Sequence, residues 1–455
     1  MEELRDGRGR CAIATTALPA GTIVRAFSGK PYASVLLPSQ RERHCAACFK
    51  DTHSVKRLLR CGRCKWARYC SGCCQKAAWI AHKHECAALT DAACELHRLA
   101  DAPAADCLLV GRCLWRRHDA NLSEAGDDDL AFDALEPGVP SASDYALGRL
   151  AASISGLLPP AASLEASAEA AARLMSTFER NNFGVLNDLL SVVGAGCYPR
   201  AALLNHSCAP NCALAFDGLT VEIRTMAAVA AGEELCHAYV ELCQPTGARR
   251  ETLRSRYGFE CACSRCVDGL RTAAGEDMDA VMAMHLLPDG GPDSNTKRLG
   301  CTSVAAEAAL DRAAQLLEAA ASEEDEAAEL RKTLEALRVR RELCHPLSTA
   351  RYEAEGRGLT IALAVGDLPS ALEACRHAVA FLEAALAHVP SHPMLALQRF
   401  TLSDLEGACG EPRAALRVMD ACAAAVELTA STSSSLRAQA ASSLAGLRQQ
   451  SNCEI

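Results

Sequence analysis

Residues 45–86 read CAACFKDTHSVKRLLRCGRCKWARYCSGCCQKAAWIAHKHEC. In this stretch, pairs of cysteines are separated by two or three residues, and a histidine precedes the last cysteine by a three-residue gap. A two-residue gap lets two thiolates reach one metal ion from a tight turn, whereas a three-residue gap places two ligands one helical turn apart. Zinc is held by four such ligands, so eight ligands predict two structural zinc sites. The eight candidates are Cys45, Cys48, Cys61, Cys64, Cys70, Cys74, His82 and Cys86.

The rest of the chain favours metal binding over disulfide formation for these thiols. The 455 residues include 26 cysteines, and the first ten residues, MEELRDGRGR, do not have the pattern of a secretory signal peptide. No apolar run approaches the roughly 18 residues that a membrane span requires. We therefore expect a protein that is neither secreted nor membrane-bound, with reduced thiols. Five thiols in Ala/Leu-rich sequence are expected to be small buried side chains: Cys301, Cys344, Cys375, Cys409 and Cys422.

The net charge of -9 conceals a basic segment. Between Arg41 and Thr90 there are eleven Lys/Arg and three Asp/Glu, a formal charge of +8, so the remaining chain carries -17. A basic module on an acidic body is suited to contact with nucleic acid or with an acidic partner. A zinc module with a solvated basic surface is an equally good interpretation.

The pattern along the chain predicts a mixed α and β protein. Short β-branched runs at residues 11–37 and 181–243 predict strands, with Asp217-Gly218 as a hairpin turn. Residues 88–180 are helical in composition.

Long amphipathic helices are predicted after about residue 270. There, Gly366-Asp367 recurs as Gly410-Glu411, an offset of 44 residues. A repeat of this length suggests stacked helix pairs that resemble tetratricopeptide (TPR) arrays.

A second group of motifs lies between residues 194 and 266. Residues 203–212 read LLNHSCAPNC, Gly-Glu-Glu-Leu begins at Gly232, and Tyr239 follows. The group ends in a Cys-x-Cys-x2-Cys cluster after Phe259, which offers three more zinc ligands. Together with Gly194-x-Gly196-x-Tyr198-Pro199, this arrangement resembles the core of SET lysine methyltransferases.

The cysteine stretch at 45–86, with Trp79 before its last ligands, resembles a MYND zinc finger at every ligand position. A MYND finger inserted into a SET core is similar to the SET and MYND domain (SMYD) family. The resemblance implies an α+β fold: a split SET β-fold with an inserted MYND finger, a helical insert, a cysteine-rich post-SET segment and a C-terminal all-α, TPR-like domain. The implied domains are an N-terminal SET segment at 1–44, the MYND finger at 45–86, a helical SET insert at 87–180, core SET at 181–243, a post-SET zinc segment at 244–270 and the C-terminal helical domain at 271–455.

The resemblance also implies how the zinc ligands are grouped. In the family the two finger sites interleave, so Cys73 and His84 are not expected to bind metal. The three post-SET thiols require a fourth ligand, which the family takes from the Asn-His-Ser-Cys motif, here Cys208; Cys212 and Cys243 compete for this role. Three zinc ions follow, bound by Cys45, Cys48, Cys70 and Cys74; by Cys61, Cys64, His82 and Cys86; and by Cys208, Cys261, Cys263 and Cys266.

The cofactor that the resemblance implies is S-adenosylmethionine. A short glycine loop is expected to let backbone amides approach its carboxylate, although Asp6 and Arg8 depart from the family pattern there. Asn205 and His206 are expected to hold its amino group and adenine, and Phe259 to stack near the adenine. The cofactor-binding candidates are Gly7, Arg8, Gly9, Asn181, Asn205, His206, Tyr239 and Phe259.

The implied reaction is methyl transfer to the neutral amine of a protein lysine. An apolar channel disfavours the ammonium form of that lysine, and Phe183, Tyr239 and Tyr257 are the aromatic candidates to line it. Tyr239 is the catalytic candidate, because its hydroxyl would orient the lysine nitrogen. For Tyr257, a buried place in a hydrogen-bonded core is an equally good interpretation.

The predicted function is therefore that of an S-adenosylmethionine-dependent protein-lysine N-methyltransferase acting on histone or non-histone lysines. The alternative is a catalytically weak adaptor that binds protein partners or DNA through its MYND finger and TPR-like helices. The resemblance further implies a protein substrate, such as a histone tail, and proline-rich peptides or DNA as partners of the finger. A monomer in the nucleus and cytoplasm is expected.

Overall fold

The computed structural model describes residues 2–6, 9–52, 57–118, 131–135, 138–154, 164–283 and 303–453. The chain forms two compact units. The first unit comprises Met1–Asn205, Leu214–Leu235 and Ala430–Ser434, and the second comprises His206–Ala213, Cys236–Thr429 and Ser435–Ile455.

The first unit contains a three-stranded antiparallel sheet in the order β3-β7-β6. Gly194 and Gly196 of its central strand leave no room for a side chain. A Cβ on Gly194 would collide with the Phe49 ring and the Val35 carbonyl, and one on Gly196 would lie 2.6 Å from the Tyr198 ring. The strands of the chain are β1 Glu2–Asp6, β2 Gly9–Ile13, β3 Ala33–Leu36, β4 Leu59–Arg60, β5 Arg68–Tyr69, β6 Asn182–Leu186, β7 Val192–Cys197, β8 Asn205–His206, β9 Cys212–Asp217, β10 Thr220–Thr225 and β11 Cys236–His237.

The predicted hairpin forms between β9 and β10, but its turn consists of Gly218 and Leu219, because Asp217 is the last residue of β9. Gly218 adopts a φ of 58° in the two-residue turn after Asp217. Residues 11–37 form shorter strands than their β-branched content suggests, because β2 and β3 are joined by a segment that makes only isolated bridges, at Leu18, Ile23 and Gly29.

The finger consists of the hairpin β4–β5 and one long helix, α1 Gly72–Glu85. Ser71 caps this helix, since its hydroxyl accepts a hydrogen bond from the Cys74 amide. The finger packs on the helical insert in one shared core that includes Trp66, Leu109 and Phe178. The insert helices are α2 Ala88–Leu96, α3 Asp101–His118, α4 Ala142–Ile154 and α5 Leu164–Asn181.

The second unit begins with short helices and continues into long ones. Gly366 and Gly410 end their helices with φ of 82° and 83°, a conformation that glycine adopts at little cost. The 44-residue repeat therefore corresponds to two successive helix pairs. The helices are α6 Thr246–Tyr257, α7 Ser264–Asp268, α8 Met278–Ala283, α9 Ser303–Ala321, α10 Glu326–Leu343, α11 Thr349–Val365, α12 Leu368–Ala385, α13 Pro393–Ala408, α14 Pro412–Thr429 and α15 Ser435–Cys453.

The predicted α+β fold class is confirmed: short strands, a cysteine-rich finger and an all-helical C-terminal region occur as expected. No helix in the described ranges is both long and apolar enough to cross a membrane. Cys344, Cys375 and Cys422 are buried as expected, and Cys301 lies outside the described residues. The expectation for Cys409 is wrong. This residue is exposed because it caps the end of α13, beside the Gly410 turn.

Candidate zinc and cofactor site

The first finger set comprises Cys45, Cys48, Cys70 and Cys74, whose sulfur atoms all lie within 4.8 Å of one another. Cys48 Sγ lies 3.7 Å from Cys70 Sγ, which in turn lies 3.4 Å from Cys74 Sγ. Cys73 is exposed on α1 and does not belong to the set.

The second finger set comprises Cys61, Cys64, His82 and Cys86. Cys61 Sγ and Cys86 Sγ are 3.7 Å apart, and His82 presents Nε2 to Cys64 Sγ at 3.5 Å. His84 instead packs against the ring of Trp115, with centroids 4.1 Å apart. All four residues of the set are buried.

The third set brings Cys208 together with Cys261, Cys263 and Cys266, again with all sulfur atoms within 4.8 Å. Cys208 Sγ and Cys266 Sγ are 3.6 Å apart. Cys212 and Cys243 are buried elsewhere and do not join this set. The four ligands lie in the second unit.

All three sets fit zinc. Sulfur atoms held at about 2.3 Å from a common ion in a tetrahedron are separated by about 3.8 Å. The observed separations of 3.4 to 3.7 Å are close to this value and far from the roughly 2.05 Å of a disulfide. Each set offers four ligands, which suits a structural zinc site rather than a catalytic one with an open position for substrate.

The second finger set has a carboxylate partner that sequence analysis missed. His82 donates its Nδ1 hydrogen to Glu85 Oε1 at 3.0 Å, which leaves Nε2 to bind metal. Arg112 of α3 donates to both oxygens of Glu85, at 2.9 and 2.7 Å. Glu85 follows His82 by about one helical turn, so the sequence spacing of the two residues could have identified Glu85 as a partner of His82.

Two buried arginines accompany the third set. Arg249 is 1% exposed and donates from Nε to Cys208 Sγ at 3.3 Å. Arg265 is 5% exposed and donates to the carbonyl of Leu242 at 2.8 Å. Four thiolates and one zinc ion carry a charge of -2, which two guanidinium groups balance. No local sequence pattern indicates this arrangement, because Arg249 precedes the cysteine cluster on a different helix.

Asn205 lies in the first unit, where its amide group is fixed by two acceptors. Nδ2 donates to the Arg10 carbonyl at 2.7 Å and to Glu234 Oε1 at 2.8 Å. Glu234 belongs to the Gly-Glu-Glu-Leu motif. Because both amide hydrogens are used, the side-chain oxygen Oδ1 is the atom suited to a ligand, and it suits an ammonium group.

His206 lies in the second unit and uses both ring nitrogens within the protein. Nδ1 accepts the Tyr239 backbone N–H at 3.0 Å, so the ring proton lies on Nε2, which donates to Cys208 Sγ at 3.2 Å. Burial lowers the pKa of His206 to about 4. This arrangement limits contact between His206 and a cofactor to the backbone and the ring face.

The second unit also gathers the aromatic candidates around Tyr239. Its ring centroid lies 4.9 Å from that of Tyr257 and 5.4 Å from that of His206, which is 6.1 Å from Phe259. The ring of His237 also packs against Tyr239, with centroids 4.8 Å apart. Burial raises the pKa of Tyr257, so its hydroxyl stays protonated at neutral pH.

The remaining candidates lie in the first unit or outside the described residues. Phe183 packs edge-on against Tyr198 at 5.9 Å, and Asn181 donates to the Thr177 carbonyl at the end of α5. Gly9 begins β2, whereas Gly7 and Arg8 lie outside the described residues. The roles assigned to these residues stay predictions.

The chain is similar to known proteins both within the finger and outside it. The family model of the MYND finger matches residues 45–86. The chain is 29% identical over 284 residues to "Histone-lysine N-methyltransferase Smyd1" of Mus musculus, covering 58% of this chain and 55% of that protein. It is 32% identical over 272 residues to "Histone-lysine N-methyltransferase SMYD3" of Homo sapiens, with coverages of 57% and 59%.

A third relative, "N-lysine methyltransferase SMYD2-B" of Danio rerio, is 32% identical over 269 residues, covering 57% of this chain and 58% of that protein. The chain thus spans a little over half the length of the curated relatives it matches. The finger match covers the residues of the first and second finger sets. The chain therefore carries a match to the MYND finger at residues 45–86 and is similar to these SMYD proteins over a little more than half of its length.

Proposed function

We propose that this protein is an S-adenosylmethionine-dependent protein-lysine N-methyltransferase that acts on histone or non-histone lysines. The observation that carries the proposal is the aromatic group around Tyr239, in which a hydroxyl-bearing ring packs against Tyr257 and His206. The names of the relatives, which are histone-lysine or N-lysine methyltransferases, support the same reaction.

S-adenosylmethionine, when bound, supplies an electrophilic methyl group on a sulfonium. Asn205 would hold its amino group through Oδ1, since both Nδ2 hydrogens are already bonded. Phe259 is 36% exposed, so part of its side chain is accessible for contact with the adenine.

Tyr239 and Tyr257 act on the substrate lysine. Their packed rings supply an apolar wall, which favours the neutral amine over the ammonium. The lysine nitrogen uses its lone pair to form the new N–C bond, the methyl–sulfur bond breaks with its electrons left on sulfur, and the proton of the resulting ammonium is released to water. The Tyr239 hydroxyl orients that lone pair, and orientation is the main catalytic contribution that such a reaction needs.

The direct test is tritium transfer from S-adenosylmethionine to a mixed panel of histones and lysine peptides. Transfer by the wild-type protein that is lost in Asn205→Ala supports the proposal. Absence of transfer to every member of the panel, by protein with its full zinc content, would instead favour the adaptor function.

Several finer features belong to the same proposal. We propose three zinc ions per chain, a monomer, and residence in the nucleus and cytoplasm. The three complete ligand sets support the ion count. Light scattering tests the monomer, and imaging of a tagged full-length chain tests the localisation.

We also propose that the finger binds a proline-rich peptide or DNA. Trp79 and Ile80 on α1 are 46% and 52% exposed and offer an apolar surface to a peptide. Exposed Lys76 and Lys83 lie on the same helix and suit a phosphate backbone. Fluorescence anisotropy with a labelled proline-rich peptide and with a labelled DNA duplex separates the two ligands.

A further inference from the structure

We propose that His206 is a positioning residue that connects the third zinc set to Tyr239. The proposal rests on the proposed function for the role of Tyr239. It assigns to the His206 side chain a role different from the adenine contact that the family resemblance implies, because its two ring nitrogens are bonded to Cys208 and to the Tyr239 backbone.

On the Cys208 side, this connection is held by several contacts. Cys208 Sγ is one of four ligands held within 4.8 Å of one another, and it also receives the Nε hydrogen of buried Arg249 at 3.3 Å. The neighbouring Ser207 amide donates to the His237 carbonyl at 3.0 Å, which fixes the motif against β11. The Nε2 hydrogen of His206 is thus directed at a sulfur atom that cannot move far.

The Tyr239 side of the connection lacks comparable support from secondary structure. Tyr239 lies in the non-repetitive segment between β11 and α6, so no strand ladder or helix orients its backbone. The hydrogen bond from its amide to His206 Nδ1, at 3.0 Å, anchors the residue at its own peptide group. Since the orientation of a catalytic ring depends on the position of its backbone, this bond links the third zinc set to the geometry of the hydroxyl.

Two substitutions each remove one of the two hydrogen bonds that the His206 ring makes. The amide nitrogen of glutamine takes the place of imidazole Nε2, so His206→Gln keeps a donor to Cys208 and loses the acceptor for Tyr239. The amide oxygen of asparagine takes the place of Nδ1, so His206→Asn keeps the acceptor and loses the donor. A purely structural role for His206 would not separate these variants in this way.

The experiment uses the full-length zinc-loaded protein with ¹⁵N-labelled tyrosine. The chain has seven tyrosines, so the spectrum is simple, and the Tyr239 amide is identified by its absence in Tyr239→Phe. Hydrogen exchange of this amide is measured beside kcat, KM for S-adenosylmethionine and the rate of zinc release to a chelator. His345→Gln is the matched control, because His345 Nδ1 also accepts a backbone amide, that of Leu347, at 3.1 Å.

We expect His206→Gln to exchange the Tyr239 amide at least tenfold faster and to lower kcat at least tenfold, with KM for the cofactor within threefold of wild type. His206→Asn keeps the acceptor but loses the bond to Cys208, so we expect faster zinc release, with the exchange rate and kcat between those of the wild type and His206→Gln. The proposal would be overturned if His206→Gln kept the wild-type exchange rate and kcat. It would also be overturned if only the KM for S-adenosylmethionine changed, because that result would assign the ring to cofactor binding. If the wild type transfers no methyl group, the proposed function fails, and the exchange rates still decide whether His206 anchors Tyr239.

Discussion

His82 Nδ1 and Glu85 Oε1 lie 3.0 Å apart on the buried face of α1. Burial raises the pKa of Glu85, but Arg112 and His82 outweigh it and hold the pKa at about 2. The carboxylate is therefore ionised at neutral pH and fixes the ring so that Nε2 is directed at the sulfur atoms of the second finger set.

Glu85→Gln should weaken zinc binding at the second finger set by about 10- to 100-fold. The substitution removes the charge that orients His82 and leaves the Arg112 guanidinium without its carboxylate partner. Zinc release to a colorimetric chelator measures the effect. Glu42→Gln is the matched control, because it makes the same change at an exposed carboxylate that pairs with Arg68. Equal release rates in the two variants would contradict this role of Glu85.

Arg249→Met should destabilise the third set by about 3 kcal/mol, because the thiolate charge then remains buried without its cation. We expect faster zinc release and a lower melting temperature, with Arg249→Lys intermediate between Met and wild type. Arg254→Met on the same helix is the control, since Arg254 is exposed and its ion pairs with Glu251 and Glu260 contribute little. A zinc release rate for Arg249→Met that matches this control would refute the charge-balancing role.

The eight finger ligands could be recognised in the sequence because the gaps within each ligand pair are short, whereas their grouping into two sets and the choice of Cys208 came from the family resemblance. Two- and three-residue gaps restrict ligand geometry directly, and Glu85 could have been recognised in the same way, one turn after His82. Arg112 and Arg249 reach their partners from 27 and 41 residues away, so only the tertiary structure reveals them. The His206 hydrogen bond to Tyr239 spans 33 residues and equally escapes a local pattern.

Elemental analysis of freshly purified protein should find three zinc ions per chain, one for each complete ligand set. Because metal binding stabilises such small modules directly, Cys61→Ser should lose one ion and disorder the finger. Cys73→Ser provides the control, since Cys73 is exposed and outside every set. Two or fewer ions in the wild type would mean that one of the sets does not bind metal.

Asn205→Ala should abolish S-adenosylmethionine binding measured by calorimetry. The substitution removes the Oδ1 acceptor and also leaves the Arg10 carbonyl and Glu234 without the Asn205 donor. Asn211→Ala is a suitable comparison, because Asn211 accepts the Cys236 amide and is not a cofactor candidate. Unchanged affinity in Asn205→Ala would exclude this residue as a cofactor contact.

Tyr239→Phe should lower the methyl-transfer rate about a hundredfold or more, which corresponds to about 2.7–4 kcal/mol for the loss of one oriented hydrogen-bonding group. The ring contacts with Tyr257 and His237 remain, so the melting temperature and cofactor affinity should change little. Tyr257→Phe is the companion variant, because it removes the neighbouring hydroxyl and keeps the same ring packing. For the wild type, the rate should rise between pH 7 and 9, since the substrate lysine has a pKa of about 10.4 and becomes more neutral over this range. The test measures the methyl-transfer rates of all three proteins on one accepted substrate, with a melting curve for each. Equal rates for the wild type and Tyr239→Phe would exclude Tyr239 as the group that orients the amine.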